Sequence, residues 1–139
     1  FHQDALAASL QRAGIDYRHM PGLGGRRTSR RDSENLGWRN TSFRGYADYM
    51  QTPPFQNALE ELMALAQRLP VAIMCAEAVP WRCHRNLIAD ALVCQGGTVR
   101  HIISDTALQT HTLTSFATYK DGRLMYPAVK TADSNLSLF

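Results

Sequence analysis

Hydrophobic residues recur at helical spacing in four segments of the chain. In the clearest of them, Phe55, Leu59 and Leu62 fall on one face, as in an amphipathic helix that packs on a core. Pro53-Pro54 suits the first turn of that helix, and Pro70 ends it. The predicted helices cover residues 4–13, 43–50 and 53–69 and a segment that starts near Cys83 and stops at Gly96-Gly97.

Other segments have the pattern of strands. Val71–Cys75 is a continuous apolar run, typical of a strand buried on both faces, and Thr98–Ile103 is a second strand. Because a helix connects them, we expect the two strands to lie side by side and parallel, with a right-handed crossover. Ile15–Met20 alternates like a strand, and Asp121-Gly122 favours a type I′ hairpin. The expected fold class is α/β, a small three-layer domain with a mainly parallel central sheet and a C-terminal hairpin.

The length of the chain fits one domain over residues 1–139, because 139 residues leave no room for two full cores. Within it, residues 21–40 form a long segment rich in Arg, Gly, Ser and Asn with no period, and loops of that length are usually functional or disordered. The longest apolar run, Val71–Ala76, is far shorter than the ~20 residues of a membrane span, so no membrane partner is expected.

Charge and cysteine usage indicate which ligands the chain suits and where it is located. The 15 basic residues comprise 13 Arg and only Lys120 and Lys130, and guanidinium groups suit carboxylate and phosphate ligands. Seven of the arginines fall in one stretch: Arg18, Arg26, Arg27, Arg30, Arg31, Arg39 and Arg44. The three cysteines form no CxxC pair, which favours a reducing, cytoplasmic location over a disulfide-built secreted domain.

Residues 74–85 hold the densest group of reactive side chains. Cys75 is placed at the end of the predicted strand and Cys83 at the start of the next helix, so the intervening loop brings two thiols, a carboxylate, an imidazole and guanidinium groups close together. A helix N-terminus adds partial positive charge, which favours an anion or a thiolate. We expect one of the two thiols to be reactive, with a pKa lowered by these charges.

This stretch resembles the domain of unknown function 488 family. The resemblance lies in Cys-Ala-Glu from Cys75 and in Trp-Arg-Cys-His-Arg-x-Leu-Ile-Ala-Asp-Ala-Leu from Trp81. It extends to Leu23–Arg27, Trp38–Met50 and Val99–Ile102, and so covers Phe1 to about Tyr126. Members usually begin with a strand carrying Gly-His-Ser, a helix and a strand carrying Asp-Val-Arg. Relative to that pattern this chain begins after those elements, and we expect it to lack them.

These observations support an enzyme-like site for a small anionic, phosphate- or nucleotide-like substrate. The candidate catalytic residues are Cys75, Glu77, Cys83 and His84. The candidate anion-binding residues are Arg26, Arg27, Arg39, Arg44, Arg82 and Arg85. The candidate aromatic lining is Trp38, Tyr46 and Trp81. We expect residues 24–37 to form an exposed flap with Arg26 or Arg27 turned toward the site.

Several alternatives stay open. A buried structural role is common for a free cysteine, and a redox pair of Cys75 and Cys83 gains little support from a spacing of eight. Arg82 lies seven residues after Cys75, which differs from the Cys-x5-Arg loop of cysteine phosphatases. Zinc bound by Cys75, Cys83 and His84 lacks an evident fourth ligand, so neither a metal nor another cofactor is expected. The alternative function is a nucleic-acid-binding module, with arginines on phosphates and the aromatic residues stacked on bases.

Overall fold

The computed structural model describes residues 2–77, 79 and 82–129. Its helices are α1 (Gln3–Arg12), α2 (Thr41–Met50), α3 (Pro53–Arg68) and α4 (Arg85–Cys94), with a short 3₁₀ turn at Pro21–Leu23. Its strands are β1 (Arg100–Ile102), β2 (Leu108–Thr110), β3 (Thr118–Lys120) and β4 (Arg123–Met125). No helix in these ranges combines the length and apolarity that crossing a membrane requires.

The helices form close to the predicted positions, and local sequence explains where they begin and end. The side chain of Asn40 caps α2 by accepting hydrogen bonds from the backbone N–H groups of Ser42 and Phe43, at 2.8 and 3.2 Å. This cap starts α2 two residues earlier than predicted, at Thr41. Gly14 follows α1 with a φ of 76°, a left-handed conformation that glycine adopts without strain.

The core lies between α2, α3, α4 and the end of β4. Tyr46, Phe55, Leu87 and Tyr126 are its largest hydrophobic side chains with almost no exposed surface. The other members of this hydrophobic cluster are Leu23, Ala47, Met50, Leu59, Leu62, Ile88 and Ala91. The periodic apolar positions of three helices therefore face one another, and α4 is held along its buried face with its N-terminal end at the candidate site.

The predicted parallel sheet is wrong. β1 pairs with β2 in an antiparallel ladder, with Arg100 opposite Thr110, and neither Val71–Cys75 nor Ile15–Met20 forms a strand. The described residues form two small antiparallel sheets of two strands each and no three-layer α/β domain. A parallel strand needs neighbours that cover both of its faces. Here the described residues leave part of the apolar run uncovered, since Val71 is 43% exposed and Met74 54%.

The C-terminal hairpin is confirmed. β3 and β4 pair antiparallel, with Lys120 opposite Arg123, around the turn at Asp121-Gly122. Asp121 has a φ of 53° and Gly122 a φ of 74°, and a type I′ turn requires positive φ at both central residues. This prediction succeeded because the turn depends on two adjacent residues.

The arginine-rich segment is not uniformly exposed. Asn35 is completely buried, and the buried carboxylate of Asp48 on α2 accepts hydrogen bonds from the segment. The donors are the backbone N–H of Arg30 (2.8 Å), the hydroxyls of Ser29 (3.4 Å) and Ser33 (2.6 Å) and the amide nitrogen of Asn35 (2.8 Å). One carboxylate thus fixes the path of residues 29–35, so the exposed flap expected over residues 24–37 is only partly correct.

Candidate thiol site

Cys75 and Cys83 lie side by side. Their Sγ atoms are 3.4 Å apart, although Cys75 belongs to the extended segment after α3 and Cys83 precedes α4. Neither cysteine is in a disulfide; Cys83 is buried and Cys75 is partly exposed. The backbone N–H of Glu77 also donates to Cys75 Sγ at 3.3 Å. Of the two thiols, Cys75 is therefore the more accessible to a reagent or substrate.

Arg85 at the first position of α4 surrounds Cys83 with hydrogen-bond donors. Its side-chain Nε donates to Cys83 Sγ at 2.9 Å and its backbone N–H donates to the same atom at 3.2 Å. Its Nη2 donates to the backbone carbonyl of Glu77, which ties the cysteine loop to the helix. A guanidinium and a helix N-terminus therefore meet at one sulfur atom, and both stabilise negative charge there.

The pKa of Cys83 shifts in the direction opposite to the lowering that the sequence suggested for a reactive thiol. Burial raises the pKa of the Cys83 thiol and is the largest influence on it, whereas the hydrogen bonds from Arg85 lower it and Cys75 raises it further. Cys83 therefore keeps its proton more strongly than a free cysteine does. Its suitability as an attacking group is lower than its sequence context indicated.

His84 links the site to the arginine-rich segment. Its ring lies 5.1 Å from the ring of Tyr46, measured between centroids, and a Cβ on Gly25 would overlap it. Only glycine allows the backbone to approach the imidazole this closely. Burial lowers the pKa of His84, and the positive charges of Arg85 and Arg27 lower it further. The imidazole is thus a neutral donor or acceptor near pH 7.

The other candidate arginines divide into two groups. Arg27 and Arg44 are engaged by the fold: Arg27 donates to the carbonyls of Gly24 and Pro21 and lies over the ring of Tyr49, and Arg44 donates to the Trp38 carbonyl. Arg26, Arg39 and Arg82 are exposed. Their predicted contact with an anion stays a prediction, as do the roles of the Glu77 and His84 side chains in moving protons.

Two of the three candidate aromatic residues, Tyr46 and Trp38, are packed in or against the core. Tyr46 is completely buried and donates its hydroxyl to the carbonyl of Leu23 at 2.9 Å. Trp38 packs against Phe43, Phe116 and Tyr126, with ring centroids 4.9–5.3 Å apart. Neither position supports stacking on a nucleic-acid base. The prediction for Trp81 lies outside the described residues.

A second polar cluster, around Asp90, was not predicted from the sequence. The completely buried carboxylate of Asp90 accepts hydrogen bonds from the hydroxyl of Tyr126 at 2.7 Å and from the backbone and hydroxyl of Thr114 at 3.0 and 2.6 Å. His111 Nε2 lies 2.7 Å from the same carboxylate, and His111 Nδ1 lies 2.8 Å from His101 Nε2. An acidic residue on the apolar face of α4 was the available signal, since a buried carboxylate needs several donors.

The comparisons with known proteins support the family and leave its activity open. The sequence matches the family described as Domain of unknown function DUF488 over residues 1–92, about two thirds of the chain, and the protein therefore belongs to this family. The match includes both cysteines of the site and ends before the Val99–Ile102 segment to which the resemblance was extended. No curated protein and no solved structure matches the chain.

Proposed function

We propose that the chain carries an enzyme-like thiol site for a small substrate with a negatively charged group. Cys75 is the nucleophile in this proposal, and Arg85 attracts the anion. The observation that carries it is the meeting of Cys75 Sγ, Cys83 Sγ and the Arg85 guanidinium at hydrogen-bond distances, 3.4 and 2.9 Å. A cation next to an accessible thiol favours both the ionised sulfur and an anionic reactant.

The assignment of roles follows from exposure. Cys75 is partly exposed and lies against Cys83, whose buried thiol keeps its proton and can share it with the neighbouring sulfur. The Arg85 side chain donates to Cys83 Sγ and to the Glu77 carbonyl, so its charge is held beside the sulfur that Cys75 contacts, and it also interacts electrostatically with Cys75. The nucleic-acid alternative is less favoured, because Tyr46 is buried in the core and Trp38 packs against it.

Alkylation of the reduced, chelator-treated protein with matched reagents tests this proposal. Iodoacetate and iodoacetamide react alike: the sulfur forms a bond to carbon, iodide leaves with the bonding electron pair, and the thiol proton goes to solvent. Only iodoacetate is an anion. A unit charge about 4 Å away contributes about 1 kcal/mol in a water-like dielectric, which corresponds to about fivefold in rate. Cys75 should therefore have an iodoacetate-to-iodoacetamide rate ratio about fivefold above that of Cys94.

Cys94 is the internal control because it lies on α4, at the end of the helix away from Cys83. Arg85→Gln should reduce the ratio at Cys75 by about fivefold relative to the wild type, whereas Arg12→Gln, on exposed α1, should leave it unchanged. Circular dichroism would establish that both variants are folded. Equal ratios at Cys75 and Cys94 in the wild type, or a Cys75 that reacts only after unfolding, would show the proposal to be wrong.

A further inference from the structure

Three metal-binding side chains converge at the thiol site. The Sγ atoms of Cys75 and Cys83 and a ring nitrogen of His84 all lie within 4.8 Å of one another. They come from two separate segments, the extended chain after α3 and the turn before α4. The sequence alone gave little support to a metal here because no fourth ligand was evident, but it could not show how closely the three donors approach.

The donor set is that of a zinc site. Zn²⁺ prefers thiolate and imidazole ligands, and two cysteines with one histidine is a known catalytic combination in which the fourth position stays open to water or substrate. With Zn–S distances of about 2.3 Å, two thiolates of one tetrahedral site lie roughly 3.8 Å apart. The observed Sγ–Sγ distance of 3.4 Å requires only a small adjustment.

The surroundings of the donors also suit a metal. Arg85 already gives two N–H donors to Cys83 Sγ, and outer-shell hydrogen bonds of this kind orient metal ligands and tune their charge. The His84 ring is held between Tyr46 and the backbone of Gly25, so its orientation is fixed before any metal arrives. Two thiolates would also balance the double charge of the ion.

We propose that this chain binds one thiophilic divalent cation, Zn²⁺, through Cys75, Cys83 and His84. The fourth position then faces water or an anionic ligand. This inference goes beyond the proposed function and does not depend on it, because the three donors can bind a metal whether or not the metal-free Cys75 thiol reacts with a substrate.

Cobalt substitution of the full chain is the most direct test. Co²⁺ added to the reduced protein should bind at one ion per chain, with the visible absorption of tetrahedral cobalt and a sulfur-to-cobalt charge-transfer band. Zn²⁺ should displace it at the same stoichiometry. Cys75→Ser should remove about half of the charge-transfer intensity, and His84→Gln should change the visible band while retaining the charge-transfer band. Cys94→Ser is the matched control and should leave both bands unchanged.

Affinity gives a second readout. Competition with a chromophoric chelator should show that Cys75→Ser and His84→Gln each weaken Zn²⁺ binding by more than the ~10–100-fold that loss of an outer-shell partner causes. Because Cys83 is buried, its replacement can affect folding as well as metal binding, so both Cys83→Ala and Cys83→Ser are measured. Circular dichroism identifies any variant that fails to fold. Octahedral cobalt, or Zn²⁺ affinity unchanged in folded Cys75→Ser and His84→Gln, would overturn the inference. Alkylation of the chelator-treated protein reports on the proposed function separately.

Discussion

Asp48 determines the path of the arginine-rich segment, and its replacement by asparagine isolates that effect. Four donors from residues 29–35 point at its two carboxylate oxygens. Ser33 and Asn35 donate to Oδ1, and Arg30 and Ser29 donate to Oδ2. Asparagine has the same shape but only one acceptor oxygen, and its NH₂ group would face donors where the second oxygen was.

The magnitude follows from these contacts. A hydrogen bond to a charged group contributes about 1.5–3 kcal/mol, and Asp48→Asn deprives two donors of their acceptor. The free energy of unfolding should therefore fall by about 3–6 kcal/mol, a large part of the 5–15 kcal/mol that is typical of a single domain. The loss of stability is larger than for a surface substitution, because Asp48 is buried and water cannot take the place of the lost acceptor oxygen.

Urea denaturation of the wild type and Asp48→Asn measures this difference, and hydrogen exchange localises it. The Arg30 amide should lose protection, because its N–H donates to Asp48 Oδ2 at 2.8 Å. Asp16→Asn, an exposed carboxylate outside the network, is the matched control and should change stability by no more than about 0.5 kcal/mol. An Asp48→Asn variant as stable as that control, with the Arg30 amide still protected, would refute the reasoning.

Three further predictions follow from individual contacts. Gly45→Ala should lower the free energy of unfolding in urea, although alanine is the better helix former by about 1 kcal/mol, because the added methyl overlaps the carbonyl oxygen of Arg27; a more stable variant would contradict this. Tyr126→Phe should cost about 1–3 kcal/mol in thermal or urea denaturation, since it removes one donor from the buried carboxylate of Asp90, and wild-type stability would count against it. Burial lowers the pKa values of His84 and His101 below 6.5, so the unfolded chain binds protons at a higher pH than the native one. The contribution of the two histidines to stability should be complete above about pH 6.5 and should decrease as the pH falls toward their lowered native-state pKa values. Urea denaturation at a series of pH values checks this. A free energy of unfolding that rises on acidification would be inconsistent with it.

The sequence by itself determined the local features of this protein. Helical periodicity, Pro53-Pro54 and the glycines after the helices predicted α1 to α4 because each depends on residues within a few positions of one another. The Asp121-Gly122 turn is local in the same sense. The cysteine loop was also predicted to bring Cys75 close to Cys83, because the seven residues between them connect an extended segment to a helix and have to fold back.

Only the tertiary structure decided which segments pair and which carboxylates are buried. Val71–Cys75 has the apolar pattern of a central strand, but a strand exists only when another backbone accepts its hydrogen bonds, and the described residues do not supply one. Asp48 reads as an ordinary polar position on its helix, and Asp90 is marked only by its place on the apolar face of α4. Neither position shows that the carboxylate accepts hydrogen bonds from distant segments. The burial of Cys83, which raises the pKa of its thiol, likewise depends on the tertiary structure. Such properties depend on contacts between residues far apart in the chain, and these contacts leave no local pattern in the sequence.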